Sequence, residues 1–253
     1  MLIPKLRSPV VLVHGLLGFG LIRVAGWRVA SYFRGVPEAL EGAGNRVLVP
    51  SLSLTAGVAD RARQLKEYLD RESPHDPVHL IGHSMGGLDA RYLISCLGMA
   101  DRVLSLTTLG TPHRGTHFAD WGIHRLERFL RPLFEFSNFP YQAFYDLTAA
   151  HAEEFNARAP DAPQVRYFSV AGRIERAVRH PQWAVAARIL EKSEGPNDGI
   201  VSVASARYGE GFEEWEADHL DLVNWPYPLA TGVKADRIAG YAGLVRRLAD
   251  EGF

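Results

Sequence analysis

The sequence predicts an α/β fold. Three observations carry that prediction: short, mostly apolar runs recur along the chain, segments of helical period lie between them, and the 253 residues hold no internal repeat or linker long enough to separate two domains. A run that is apolar at every position, such as Val10-Val11-Leu12-Val13, suits a strand buried on both faces of a parallel sheet. This run ends at His14-Gly15 and reads as the first strand. Val36 to Gly44 reads as a helix that opens on Pro37, whose missing N–H costs nothing in a first turn, and closes on glycine. Arg46 to Val49 is a second apolar run, ended by Pro50. Val58, Ala62, Leu65 and Leu69 then recur at steps of four, three and four, which marks one face of a helix over Val58 to Glu72, with charged residues filling the other face. Val78 to Ile81 is the next strand, Ser84 to Leu97 the next helix, and Val103 to Leu109 a longer strand. Further strands are predicted at Val165 to Ala171 and Ile200 to Ala204, with a closing helix at Lys234 to Glu251. Parallel strands joined through helices require right-handed crossovers, so the expected architecture is a mostly parallel sheet of about six strands with helices on both faces.

The alternation breaks between about 115 and 160, where two helical patterns occur and no strand. Ten of the 26 aromatics (12 Phe, 5 Trp and 9 Tyr) fall in the 38 residues from Phe118 to Phe155. Two readings fit: a helical layer packed on the core, or a cap whose apolar inner face lines a pocket. The expected layout is one domain over 1–253 with a helical cap inserted at about 115–160.

Composition narrows the function. With 28 Lys+Arg against 29 Asp+Glu, the net charge of −1 supplies no basic field to gather nucleic acid or anionic lipid. Cys96 is the single cysteine, so neither an internal disulfide nor a cysteine metal cluster can form, and it reads as a small buried hydrophobe. The apolar patch at Val10 to Val13 is too short for a signal core or a membrane span, and Pro4 and Pro9 interrupt its approach. A cytoplasmic location is expected, or a secreted one if a signal peptide was removed before residue 1.

Gly82-His83-Ser84-Met85-Gly86-Gly87 fits G-x-S-x-G and lies between a predicted strand and a predicted helix, the setting the motif requires. A serine on so sharp a turn is pushed out above the sheet, and side chains in place of the glycines would strike the neighbouring strand and helix. Its hydroxyl is a weak nucleophile until a base removes the proton and an acid orients that base, and for this arrangement the chain order is Ser, acid, His. Among the downstream histidines, His219 is best placed, in a loop after the last predicted strand and before the closing helix. Asp198, in a turn before the predicted strand at Ile200, is the matching acid. Asp218 and Asp221 are rivals by proximity, but a neighbour in sequence rarely faces the ring, and loop capping is their expected role. The developing oxyanion needs two backbone N–H donors, expected from Met85 and from Leu16 in His14-Gly15-Leu16-Leu17-Gly18. The His14 ring is read as a hydrogen-bonding support for this loop, and His79 and His83 as packed or hydrogen-bonded residues. His113, His117 and Asp120 would suit a metal only on one helical turn, which Arg114-Gly115 opposes, so no metal is expected there.

With these residues in place, the sequence resembles the bacterial true lipases of the α/β-hydrolase superfamily. The resemblance rests on His14 to Gly18, Gly82 to Tyr92, Leu109-Gly110-Thr111-Pro112-His113-Arg114-Gly115, Asn197-Asp198-Gly199-Ile200-Val201 and Asp218-His219-Leu220-Asp221, which run in the same order through nearly the whole chain, the cap region being weakest. It implies an α/β-hydrolase fold, trimmed at its N-terminus, with a lid opened by lipid. The implied activity is a triacylglycerol lipase or carboxylesterase with the triad Ser84, Asp198 and His219. Its substrate would be a neutral ester or lipid, with transient contact of the cap at a lipid–water interface and no cofactor. Leu17, Trp121 and Phe144 are the expected substrate-binding side chains. The apolar surface favours medium- or long-chain acylglycerols. An esterase for short soluble esters, an acyltransferase and a non-catalytic binder of apolar ligands are the alternatives. Secreted relatives carry a calcium beside the catalytic histidine. Here Asp221 matches one ligand, but Trp225 stands in place of a glutamine, and Ala171 to His180 holds no aspartate and only Glu175 as an acid, so no calcium site of that type is expected.

Overall fold

The structure, a computed structural model, describes residues 2–16, 18, 20–24, 27–120, 141–175, 180–225 and 236–253. Its centre is a six-stranded sheet, built from β1 (Val10–Val13), β4 (Val47–Leu48), β5 (Val78–His83), β6 (Val103–Leu109), β7 (Arg166–Arg173) and β8 (Gly211–Glu216). The strand order is β4-β1-β5-β6-β7-β8, and every pairing is parallel. Alternate side chains of a strand point to opposite faces, and β1 shows what that demands of a doubly covered sheet. Val10 and Leu12 enter one apolar cluster with Leu40, Tyr241 and Val245, while Val11 and Val13 enter the other with Leu65, Leu69 and Leu93. Hence the run must be apolar at every position. Each such fully buried aliphatic side chain contributes roughly 1.5–3 kcal/mol.

The first cluster is covered by α1 (Val36–Gly42) and the closing helix (Ile238–Asp250), the second by α2 (Val58–Glu72) and α3 (Met85–Cys96). In α2 the predicted apolar face is buried as expected, but Arg61 is buried with it, so the charged residues do not all lie on the solvent side. Its position three residues after Val58 and four before Leu65 places it on that face, where Asp89 of α3 neutralises it at 2.8 Å.

Four further differences from the sequence reading appear, the first two with local causes. The predicted strand at Ile200 to Ala204 is absent: Ser202 caps a short helix, Val203–Ala206, by accepting the Ser205 N–H, and this breaks the β-branched run. The last strand is instead β8, whose sequence Gly-Phe-Glu-Glu-Trp-Glu is half-exposed because it pairs on one side only. Between β1 and α1 the chain forms an antiparallel pair, β2 (Leu21–Val24) and β3 (Trp27–Ser31), and a helix at Ala184–Ser193 precedes Asp198; neither is predicted above.

Part of the 115–160 segment is described. Helices at Tyr141–Tyr145 and Ala149–Arg158 lie against the core, with Phe155 buried among Val58, Met85 and Leu88. The Asp146 carboxylate accepts the Val58 N–H at 2.7 Å, which caps α2 from 88 residues away. These two helices form a packed layer. Residues 121–140, including Trp121, lie outside the described residues, as does Leu17. Among the described residues, no helix is long and apolar enough to cross a membrane.

Candidate active site

Ser84 sits between the end of β5 and the first turn of α3, with φ 54° and ψ −128°. A non-glycine residue in this region costs about 1–3 kcal/mol and persists only where its surroundings impose it. Here they do. The Ser84 N–H donates to the Leu109 carbonyl at 2.9 Å, and the Ser84 carbonyl accepts from Thr111 Oγ1 at 2.8 Å. The turn passes so close to β1 that a Cβ on Gly86 would lie 2.5 Å from the Val13 carbonyl oxygen, which is why glycine is required there.

His219 and Asp198 meet by two hydrogen bonds. The His219 ring Nδ1 donates to Asp198 Oδ2 at 2.7 Å, and the His219 backbone N–H donates to the Asp198 carbonyl at 2.9 Å. A proton held on Nδ1 leaves the Nε2 lone pair free to act as a base. The other Asp198 oxygen, Oδ1, accepts the N–H groups of Ile200 and Val201 at 2.9 and 2.7 Å, so the carboxylate is fixed by its own turn. Both side chains are almost fully buried. The loop is joined to the serine through His83, the residue before Ser84, whose Nε2 donates to the His219 carbonyl at 2.9 Å. Gly110, next to the Leu109 carbonyl that holds Ser84, lies against Asp198 Oδ2 and His219 Nδ1.

On the other flank, the loop after β1 approaches Ser84 so closely that a Cβ on Gly15 would fall 2.9 Å from the Ser84 Cβ. The His14 ring supports this loop. Its Nε2 accepts the Leu52 N–H at 3.0 Å, so its proton is on Nδ1, which donates to the Gly15 carbonyl at 2.8 Å. Burial, and after it the Arg61 cation, push the His14 pKa down to about 4, which keeps this ring neutral. Gly15 C=O and Leu16 N–H share one planar trans peptide, so holding the carbonyl on one side aims the N–H to the other. Arg61 Nη2 holds the preceding carbonyl, that of His14, at 2.6 Å. Met85 is the first residue of α3, where a backbone N–H has no acceptor inside the helix, and it shares an apolar cluster with the Leu16 side chain.

Residues 10–248 match the alpha/beta hydrolase family. The chain belongs to that family. The hydrolase is 33% identical over 247 residues to triacylglycerol lipase 2 of Saccharomyces cerevisiae, covering 88% of this chain and 74% of the yeast protein. It is 28% identical over 284 residues to a triacylglycerol lipase of Vibrio cholerae, covering 97% and 89% of the two chains. Among solved structures, the Staphylococcus hyicus lipase superposes with a TM-score of 0.76 at 19% identity over 99% of this chain and 98% of that one. A metagenomic carboxyl esterase gives 0.76 at 21% identity over 96% and 76%. At such identities the superpositions establish the fold.

Other predicted residues of the hydrolase fall as follows. Phe144 is half-buried in the helix Tyr141–Tyr145. His113 accepts or donates a bond at Thr108 Oγ1 (3.0 Å) and stacks on Tyr208, whereas His117 pairs with Glu194 at 2.8 Å. Cys96 is half-buried, with its thiol directed to the Arg158 carbonyl. Asp218 caps the histidine loop: Oδ1 accepts the N–H groups of Leu220 and Asp221, and Oδ2 accepts from His180 Nδ1 and Gln182 Nε2 at 2.8 and 3.0 Å. His180, Asp218 and Asp221 have donor atoms within 4.8 Å of one another, and their fit to calcium is poor. Both oxygens of Asp218 are committed, His180 offers a nitrogen, and Asp221 faces the Arg237 guanidinium at 4.0 Å. Calcium takes six to eight oxygens, and Trp225 adds none: its indole N–H donates to the Tyr32 carbonyl.

The sequence reading missed Tyr32, Arg61 and Asp89. Burial raises the Asp89 pKa to about 6 despite Arg61 beside it. Arg61 carried a signal in its position on the apolar face; Tyr32 carried none.

Proposed function

We propose that the hydrolase is a serine lipase that cleaves carboxylic esters through an acyl-enzyme on Ser84. The observation that carries this reading is the buried 2.7 Å bond from His219 Nδ1 to Asp198 Oδ2, in a loop tied through His83 to a serine held at positive φ. In this mechanism His219 Nε2 takes the Ser84 proton as Oγ attacks the ester carbonyl. Asp198 keeps the imidazole in the required tautomer and stabilises its cationic form, while the N–H groups of Leu16 and Met85 receive the oxyanion. The alcohol leaves with the proton from His219, and water then releases the acid by the same route.

Medium- or long-chain acylglycerols are the proposed substrates. Support comes from the apolar cluster beside the serine, in which Leu16 packs with Met85, Leu88, Ala143 and Leu147, and from the aromatic density of the cap segment, through which the enzyme would meet a lipid–water interface. Each acyl methylene buried there would contribute about 0.8 kcal/mol. Rates measured against acyl length, with soluble esters and with a triglyceride emulsion, test the assignment. Activity should rise past eight carbons; a sharp fall beyond four would identify a short-chain esterase instead.

A further inference from the structure

A buried line of hydrogen bonds connects the two flanks of the site and takes no part in the chemistry above. His83 is fully buried. A carbonyl can only accept, so the 2.9 Å contact between His83 Nε2 and the His219 carbonyl places the His83 proton on Nε2 and leaves a lone pair on Nδ1. The Tyr32 hydroxyl, 2.8 Å from that Nδ1, is therefore the donor, and the two bonds together fix one tautomer. Burial first, and then the neighbouring His219, push the His83 pKa well below the ordinary value, so the ring stays neutral. The Tyr32 oxygen also lies against the Gly15 backbone, where an added Cβ would meet it at 3.1 Å. Tyr32 is anchored in turn from the far side of the histidine loop, since its carbonyl accepts the Trp225 indole N–H at 2.7 Å.

We propose that Tyr32 and His83 are paired positioning residues, which lock the His219 backbone in place and couple it to the oxyanion loop. The proposal rests on the reading of His219 as the base. With its N–H on Asp198 and its C=O on His83, the His219 main chain has both polar groups held, so the ring's position is set before substrate arrives. Without the Tyr32 proton on Nδ1, His83 can move its own proton there and turn a lone pair toward the His219 carbonyl. The resulting repulsion displaces the base by a fraction of an ångström, enough to cost roughly tenfold in turnover.

Steady-state kinetics on a soluble p-nitrophenyl ester test this, with melting temperature as the check on folding. Tyr32→Phe should lower kcat about tenfold and leave KM within about twofold. His83→Gln places an amide N–H near the Nε2 position but no acceptor at Nδ1, and should lose only about threefold. His83→Leu, which leaves the His219 carbonyl unpaired, should lose about a hundredfold if it folds. The decisive variant is the double one: in the His83→Gln background Tyr32→Phe should cost less than about twofold, because its effect passes through the ring. A full tenfold loss in that background would overturn the coupling. Near-normal rates in Tyr32→Phe and His83→Gln alike, beside an inactive His219→Ala, would overturn this proposal and leave the triad standing. An active His219→Ala would overturn both.

Discussion

Around Ser84 the supports are mostly main chain: the Leu109 carbonyl, the close approach of β1 and the opening turn of α3, all within a few residues of the G-x-S-x-G motif or on adjacent strands. Around His219 the supports are mostly side chains: Asp198 and His83 come from distant segments, and the adjacent Asp218, held in turn by His180, caps the loop. Main-chain support does not titrate and tolerates most substitutions nearby. Side-chain support can be removed one group at a time. The serine flank should therefore respond to mutation in an all-or-none manner, and the histidine flank in graded steps.

The steepest of those steps is Asp198→Asn. The amide can present N–H to Nδ1 and drive the His219 proton to Nε2, where the base must be free, so kcat should fall roughly a thousandfold or more with the melting temperature little changed. A loss below tenfold in single-turnover assays would place the orienting acid elsewhere. Next comes the acid sensitivity of the buried neutral histidines. Burial pushes the pKa values of His14 and His79 down to about 4 from an ordinary 6.5, so the folded protein binds fewer protons than the unfolded chain between those values. Stability is then full above about pH 6.5 and falls as the pH drops toward 4, by up to about 3 kcal/mol for each ring. His79 lies at the opposite end of β5 from the serine, hydrogen-bonded to Ser105, so His79→Gln should flatten the urea midpoint against pH over that window without altering kcat at pH 7.5. An unchanged slope would show that this ring is not a source of the acid sensitivity. The smallest step is Asp218→Asn, which turns an amide donor toward His180 and Gln182 while leaving an oxygen for Leu220 and Asp221. About a tenfold loss of kcat is expected, measurable by the same ester assay. Wild-type rates would mean the loop holds His219 without this cap.

The same contrast explains what could be read from the sequence. The serine flank is legible because its parts are neighbours in the chain: an apolar strand, a glycine-bounded serine and a helix. The order Ser, acid, His then singles out Asp198 and His219, which the fold brings into contact. The roles of Tyr32 and Asp89 are not legible, since Tyr32 meets His83 from 51 residues away and Asp89 meets Arg61 from 28. Strand propensity misleads at Ile200 to Val203, where a glycine at φ 99° and a serine cap override three β-branched residues. It is silent at β8, whose three glutamates are tolerated only because the strand lies at the sheet edge.

The identity of the nucleophile is tested most directly by mass spectrometry after treatment with a fluorophosphonate. One adduct per chain is expected, on the peptide that contains Ser84, abolished in Ser84→Ala and slowed by several orders of magnitude in His219→Ala. An adduct on any other residue, or undiminished labelling of a folded Ser84→Ala protein, would contradict the account.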